Sequence, residues 1–218
     1  MYLLLKMLLD ELNHKNFMCV LQGNRGSGKS VALKFLLTRS GGLYESYDLV
    51  LVWTTSANSR FFLEFLPPGS VAVGLNDDKL HRIMEAQTDD DDPPRLLMVF
   101  DDLCYDRNLC AKHPSIKKIA FEGRHYNISC ILTTQLTSTG IGSNIYSNCD
   151  FFVFFRFPLQ SHRKLLVDNV LSAYMEKDEA DLLLKKLPRY SFCFMNLSGA
   201  SDDLEESCQV FKVPACFV

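Results

Sequence analysis

Residues 23–30, with the sequence GNRGSGKS, constrain the fold more than any other part of the chain. The segment follows an apolar run, Phe17–Gln22, and opens a helix-like run, Lys29–Arg39. This order is typical of a phosphate-binding loop, whose backbone N–H groups and helix N-terminus surround an anion. The loop predicts a site for the phosphates of ATP, formed by Gly23, Asn24, Arg25, Gly26, Ser27, Gly28, Lys29, Ser30 and Val31.

Two side chains of this loop have distinct predicted roles. Lys29 would place its charge beside the β- and γ-phosphates, and the Ser30 hydroxyl would bind Mg²⁺. A glycine-rich turn before a helix, without a ligand, is the alternative interpretation of the same residues. The complete pattern and its position between a strand and a helix favour the phosphate-binding loop.

Strand-like and helix-like segments alternate along the chain after the first sixteen residues. This alternation predicts a single α/β domain over residues 1–218, with a mostly parallel central sheet flanked by helices. Residues 1–16 carry leucines at four-residue spacing, which indicates a packing helix rather than a membrane anchor. The predicted strands are Phe17–Gln22, Leu49–Thr54, Ser70–Val73, Leu96–Phe100, Ile128–Thr134, Phe151–Phe157 and Ser191–Met195. The predicted helices are Lys29–Arg39, Asp78–Gln87, Ser115–Glu122, His162–Leu171 and Lys177–Leu187.

Composition excludes several classes of protein. Hydrophobic residues make up 47% of the chain and charged residues 22%, a balance that excludes disorder as the main state. The net charge of -3 provides no overall basic field for nucleic acid. Eight cysteines, several within apolar runs, indicate a reducing compartment. Cys104, Cys110 and His113 lack a fourth ligand nearby in the sequence, so free thiols are favoured over a zinc site.

Two carboxylates directly follow the apolar run Leu96–Phe100. The carboxyl end of a strand in a parallel sheet faces the crevice where such sheets bind their ligands. We therefore expect Asp101 to bind Mg²⁺, directly or through water, and Asp102 to act as the general base for the attacking water. An acidic turn is the alternative, but the phosphate-binding loop in the same chain favours a functional pair.

Polar side chains also flank the predicted strand Ile128–Thr134. Gln135 follows it, where an amide can contact the γ-phosphate or its water, so Gln135 is the predicted sensor of ATP. Arg124 precedes it, and an arginine reaching into a neighbouring subunit would neutralise charge in the transition state. A helix-terminal charge that interacts with the helix dipole is the open alternative for Arg124. Arg156 and Arg163 are further candidates for the arginine acting between subunits.

These segments together resemble a known superfamily. The phosphate-binding loop, the Asp101-Asp102-Leu103 run and the Arg124 to Gln135 segment, with Asn148 before a further apolar strand, resemble the FtsK–HerA superfamily of DNA-pumping ATPases. The acidic pair and the Gly123-Arg124-His125 run are most similar to genome-packaging ATPases of nucleocytoplasmic large DNA viruses and their virophage or transposon relatives. The resemblance covers about residues 17–170. Bacterial members usually carry glutamate where this chain has the shorter carboxylate of Asp102.

The resemblance carries expectations for fold, activity and partners. It implies a P-loop NTPase of the RecA/ASCE-like type that hydrolyses ATP with Mg²⁺ and forms a homo-oligomeric ring, a hexamer or a pentamer. It also implies a motor that translocates double-stranded DNA into a preformed capsid and docks on a capsid or portal-type vertex protein, without a membrane anchor. The implied location is the host cytoplasm, at the viral factory, with the virion as a second location.

The predicted DNA-facing surface depends on a small basic cluster. Lys112, Lys117 and Lys118 lie between the Asp101 and Gln135 strands, and copies in a ring would form a positive collar despite the net charge. The polar loop Leu136–Ser147 is the second candidate, and a solvated surface is the alternative for both. Two other functions stay open from the sequence: a helicase- or conjugation-type ATPase, and a nucleotide-binding switch or capsid assembly factor without motor activity.

Overall fold

A computed structural model describes residues 16–38, 42–103, 113–135, 143–197 and 208–217. The predicted N-terminal helix therefore lies outside the described residues, except for Asn16. The described strands are β1 (Met18–Gln22), β2 (Leu49–Thr54), β3 (Val71–Val73), β4 (Leu96–Phe100), β5 (Ile128–Thr134), β6 (Phe151–Phe155), β7 (Ser191–Asn196) and β8 (Cys208–Lys212).

All eight strands belong to one sheet, with the order β3-β2-β4-β5-β1-β6-β7-β8. The neighbours from β3 to β6 are parallel, whereas β7 and β8 are antiparallel additions at one side. The predicted mostly parallel α/β fold is therefore confirmed. Because β1, β4 and β5 are parallel neighbours or near neighbours, their carboxyl ends meet at the same edge of the sheet.

Helices cover both faces of the sheet. The described segments contain α1 (Lys29–Thr38), α2 (Leu43–Ser46), α3 (Ser56–Leu63), α4 (Asp77–Asp89), α5 (Pro114–Glu122), α6 (Ser143–Tyr146), α7 (Gln160–Asn169) and α8 (Lys177–Lys186). None of them is long and apolar enough to cross a membrane. The central strands are buried on both faces, which explains why their sequences are continuous apolar runs instead of alternating ones.

The core consists of two apolar clusters separated by the sheet. Alternate residues of β1 point to opposite faces, with Val20 in one cluster and Leu21 in the other. One cluster contains buried side chains of α4, α5, α7 and α8, and the other contains those of α1 and α3. Stacked aromatic rings join the antiparallel strands, with ring centroids of Phe192 and Phe211 5.5 Å apart. This packing fixes β8 to β7.

Four elements were missed by the sequence interpretation, and the bounds of several others differ by one or two residues. Strand β8 and helices α2, α3 and α6 were not predicted, because they are short and lack a continuous apolar pattern. Helix α3 depends on a cap instead: the Thr55 side chain accepts a hydrogen bond from the Asn58 backbone N–H. The sixth strand ends at Phe155 rather than Phe157, and the third begins at Val71 rather than Ser70.

Candidate active site

The phosphate-binding loop joins β1 to α1 at the carboxyl edge of the sheet. Gly26 and Gly28 adopt positive φ values of 74° and 103°, which glycine tolerates without a steric penalty. A Cβ on Gly23 would lie 2.5 Å from Ser27 Oγ and 3.0 Å from Phe155 Cβ, so only glycine fits there. Ser27 Oγ is buried and has no hydrogen-bond partner among the described residues. An unpaired polar atom in the loop is consistent with a ligand that supplies the missing partner.

Lys29 lies inside this loop and is 7% exposed. Its Nζ donates to the backbone oxygens of Gly23 at 2.7 Å and Asn24 at 3.2 Å. Burial lowers the pKa of Lys29, and the carboxylates of Asp102 and Asp101 oppose this effect by favouring the ammonium form. The lysine therefore places a cation between the loop and the acidic pair.

Asp101 is the most constrained carboxylate of the site. It is 1% exposed and accepts hydrogen bonds from Thr133 Oγ1 at 2.9 Å, Thr54 Oγ1 at 3.2 Å and Asn58 Nδ2 at 3.2 Å. Burial raises the pKa of Asp101, while the hydrogen bonds from Thr133 and Asn58 act in the opposite direction. The three donors come from three different elements, so the carboxylate is held in a single orientation.

Asp102 has a different environment from its neighbour. Its backbone lies in the left-handed region, with a φ of 53°, which is uncommon for any residue other than glycine. The Asp102 N–H donates to Thr133 Oγ1 at 2.9 Å, and its Oδ1 accepts from Gln135 Nε2 at 2.6 Å. At this turn the Asp101 carboxylate faces the sheet, and the Asp102 carboxylate faces the amide of Gln135, the predicted sensor.

These residues surround one cavity of about 620 Å³. The structure brings together the predicted residues Arg25, Gly26, Gly28, Lys29, Ser30, Val31, Asp101, Asp102 and Gln135 in its lining. A cavity of this size is in the range of small-molecule sites. Ser30 and Asp101 combine a hydroxyl and a carboxylate near the expected phosphates, and that donor set fits Mg²⁺, which prefers few protein ligands plus substrate oxygens.

The sequence interpretation missed several residues at this cavity. The lining also contains Thr55, Ala57, Asn58, Arg189 and Tyr190. In addition, His162 Nδ1 lies 3.1 Å from Asn24 Oδ1 and holds the first part of the loop. Thr55 and Asn58 follow β2, so the rule that placed Asp101 at a strand end could have found them. No sequence pattern pointed to Arg189 or Tyr190.

Arg124 lies away from its own nucleotide site. It is exposed and precedes β5, whereas Gln135 follows β5, and seven strand residues span about 23 Å. The Arg124 side chain lines a second cavity of about 460 Å³ at the amino edge of the sheet, beside Phe17 and Phe151. An arginine side chain cannot bridge that distance, so any contact of Arg124 with a nucleotide would be with another subunit's nucleotide.

The two alternative arginines differ in how they are held. Arg163 is buried, pairs with Asp181 at 2.6 Å, and donates to the backbone oxygens of Phe157 and Pro158. Arg163 is therefore held by partners within its own chain, whereas the role of an arginine between subunits requires a side chain that can reach a neighbour. Arg156 is exposed at the end of β6 and stays a candidate.

The predicted DNA-facing lysines are only partly described. Lys117 and Lys118 are exposed on α5, with the Lys118 ammonium 5.1 Å from the centre of the Tyr126 ring and the Lys117 ammonium 5.9 Å from that of Phe121. Lys112 and most of the loop Leu136–Ser147 lie outside the described residues. The described part of the chain shows no cluster of three His, Cys, Asp or Glu side chains that could hold a metal, and Cys104 and Cys110 fall outside it.

Known structures share the fold of this chain. The packaging NTPase B204 of Sulfolobus turreted icosahedral virus 2, solved with AMPPCP, is 17% identical, with a TM-score of 0.64 over 91% of this chain and 98% of that one. The DNA-packaging ATPase B204 of Sulfolobus turreted icosahedral virus is 16% identical, with a TM-score of 0.64 over 92% and 98%. The pCW3 conjugation coupling protein TcpA is 18% identical, with a TM-score of 0.61 over 92% and 60%. These likenesses show a shared P-loop NTPase fold.

Sequence comparison gives the family. A search of curated protein sequences found no significant match. The profile of the family described as Poxvirus A32 protein matches residues 5–173, which is more than half of the chain. The predicted resemblance to viral genome-packaging ATPases is thereby confirmed, and the chain belongs to the Poxvirus A32 protein family.

Proposed function

We propose that this chain is a motor that hydrolyses ATP to ADP and phosphate and uses the energy to translocate double-stranded DNA into a viral capsid. The observation that carries the proposal is the single cavity that joins Lys29, Ser30, Asp101, Asp102 and Gln135. Membership of the Poxvirus A32 protein family and the shared fold with the packaging NTPase B204 support the DNA-packaging role.

The loop and the buried carboxylate bind the substrate. Backbone N–H groups of residues 26–31 would cradle the phosphates, and Lys29 would neutralise their charge. Ser30 and Asp101 would hold Mg²⁺, which neutralises the negative charge that accumulates between the phosphates. Thr54, Thr133 and Asn58 keep Asp101 oriented for that role.

Asp102 is the proposed general base. Its carboxylate is partly exposed to the cavity, whereas Asp101 is almost completely buried, so Asp102 is the better placed to accept a proton from water. Gln135 donates to the same carboxylate and fixes the oxygen that faces the amide. The other carboxylate oxygen would orient the attacking water, which connects the sensor amide to the base.

In the proposed ring, a residue of the neighbouring subunit completes each nucleotide site. Arg124 lies at the edge of the sheet opposite the phosphate-binding loop, so a neighbouring subunit would have to supply it. Its charge would then stabilise the transition state of phosphoryl transfer. A homo-oligomeric ring of five or six copies that docks on a capsid vertex protein, at the viral factory, fits the same interpretation.

Duplex DNA should stimulate ATP hydrolysis, and steady-state turnover with and without DNA tests this. A motor that moves any genome must hold phosphates, so random and defined duplexes should stimulate alike. DNA affinity should fall linearly in a log–log plot against salt, with a slope of about 0.9 per neutralised phosphate. Greater stimulation by single strands would favour a helicase-type enzyme, and no stimulation at any salt would favour the nucleotide switch.

The lysine pair on α5 offers a sharper form of this test. Lys117→Ala/Lys118→Ala should flatten the salt slope and lower DNA-stimulated turnover, while basal turnover stays near that of the wild type. Lys185→Ala/Lys186→Ala, which removes two exposed lysines from the last turn of α8, is the matched control. Equal effects of the two double variants would contradict a DNA-facing role for α5.

A further inference from the structure

The turn between α8 and β7 reaches the nucleotide cavity from the side opposite the acidic pair. Strand β7 is antiparallel to β6, so the residues before β7 emerge at the edge where β6 and β1 end. Arg189 and Tyr190 occupy this turn and line the same cavity as Lys29. Two residues far from the motifs in sequence are thereby placed at the phosphate-binding loop.

The backbone of Tyr190 is held in an unfavourable conformation. Its φ is 58°, in the left-handed region, which bulky side chains rarely adopt. Two hydrogen bonds fix the turn: Val213 N donates to Tyr190 O at 2.9 Å, and Ser191 N donates to Pro188 O at 3.2 Å. Backbone strain of this kind is often found at ligand sites. In this turn it accompanies a Tyr190 ring that faces the phosphate-binding loop.

The Tyr190 ring lies against a glycine of the phosphate-binding loop. A Cβ built on Gly28 would be 3.5 Å from Tyr190 Cδ1, which is ordinary van der Waals contact. The guanidinium carbon of Arg189 lies 4.9 Å from the centre of the Tyr190 ring. Tyr190 is half-buried and Arg189 is exposed, so two planar groups form the rim of the cavity beside the loop.

We propose that Arg189 and Tyr190 form the surface on which the base of the bound nucleotide stacks. The inference depends on the proposed nucleotide site, because the loop must first hold the triphosphate. The base then extends out of the loop toward the rim, where planar π systems and a guanidinium offer favourable stacking. Stacking reads the face of a base and not its hydrogen-bonding edge. ATP and GTP should therefore bind with similar affinity, and CTP and UTP more weakly.

Comparison of ATP with inorganic tripolyphosphate isolates the contribution of the base. We would measure both affinities by calorimetry on the full chain without DNA. Tyr190→Asn removes the ring but tolerates the left-handed backbone, since asparagine adopts that region readily. This variant should lower ATP affinity about 5- to 150-fold, the range for losing one stacked base, and leave tripolyphosphate affinity unchanged. Tyr190→Phe should bind both ligands like the wild type.

Arg189→Ala and a control variant complete the test. Arg189→Ala should also weaken ATP selectively, whereas Tyr174→Asn, at an exposed aromatic that does not line the cavity, should change neither affinity. An equal loss of ATP and tripolyphosphate affinity in both cavity variants would show a phosphate or structural role and overturn the proposal. Unchanged ATP affinity in both would overturn it as well.

The stacking proposal and the motor proposal are tested by separate measurements. Loss of DNA stimulation leaves these binding measurements unaffected, because they contain no DNA. A wild-type protein that binds neither ATP nor tripolyphosphate would overturn the nucleotide site, and the stacking surface with it. Circular dichroism spectra of the variants that match the wild-type spectrum show that a loss of binding is local.

Discussion

Thr133→Val should damage both stability and catalysis, because one hydroxyl serves both carboxylates of the site. Thr133 Oγ1 donates to Asp101 Oδ1 and accepts from the Asp102 N–H, each at 2.9 Å. Valine has nearly the same shape but can make neither bond. The change therefore removes a hydrogen bond to a buried carboxylate and leaves a backbone donor unpaired.

The expected cost follows from these two losses. A hydrogen bond to a charged group contributes about 1.5–3 kcal/mol, and an unsatisfied buried donor costs about 1–3 kcal/mol. Thr54 and Asn58 still donate to Asp101, so we expect the free energy of unfolding to fall by about 3 kcal/mol, near the lower end of the sum. For a domain of this size that corresponds to a Tm lower by about 6–12 °C. Turnover should fall about 100-fold as the carboxylates lose their positions.

Thermal unfolding followed by circular dichroism and steady-state ATP hydrolysis measure the two effects. Thr133→Ser keeps the hydroxyl and should retain most of the stability and turnover. Thr54→Val removes a single longer bond to Asp101, at 3.2 Å, and should cost less than Thr133→Val. If Thr133→Val matched the wild type in both assays, the shared hydroxyl could not be what orders the acidic pair.

Three further variants test other parts of the site. Lys29→Ala should abolish ATP binding with an unchanged circular dichroism spectrum, and ordinary ATP affinity in this variant would refute the phosphate-binding loop. Relative to the wild type, Asp101→Asn should be more stable at neutral pH than at acidic pH, because burial raises the pKa of Asp101 and disfavours its ionised form, whereas the loss of one acceptor oxygen is the same at every pH. This relative gain should begin to shrink as the pH falls through the folded-state pKa of Asp101 and should vanish below its unfolded-state pKa, where the carboxyl is neutral in both states; an effect independent of pH would argue against desolvation as its cause. Arg124→Ala should bind ATP normally but lower turnover by a factor of about 10³ to 10⁵. It should regain turnover when it is mixed with an excess of Lys29→Ala protein, whose Arg124 is intact, and the absence of any recovery would indicate a structural arginine.

The sequence predicted two kinds of site residue: those of the contiguous phosphate-binding loop and those that directly follow a buried strand. The loop residues are contiguous, and Asp101, Asp102 and Gln135 directly follow buried strands, so their convergence follows from a parallel sheet. Tyr190 could not be placed in the same way. It reaches the loop only because an antiparallel strand is added beyond β6, and that pairing depends on aromatic contacts between residues far apart in the chain.

Side chains that support a functional group were equally difficult to predict. Thr133 lies within an apolar strand and resembles any β-branched strand residue, so its two hydrogen bonds become visible only when β4 and β5 are paired. Strand β8 follows a long polar stretch and is only five residues long, which gives no clear periodic signal. In both cases the information lies in contacts between distant segments.

Arg124 and the phosphate-binding loop lie at opposite edges of the sheet. The subunits of the proposed ring must therefore all face the same way around it, with the Arg124 edge of one against the loop edge of the next. Each subunit contributes Arg124 to the nucleotide site of one neighbour and receives Arg124 from the other neighbour, as in any closed head-to-tail assembly. A Lys29→Ala subunit still contributes Arg124 to its neighbour's site, and an Arg124→Ala subunit still binds ATP. An equal random mixture of these two inactive proteins would therefore contain complete sites at about a quarter of its positions. Two proteins that are each inactive would complement one another.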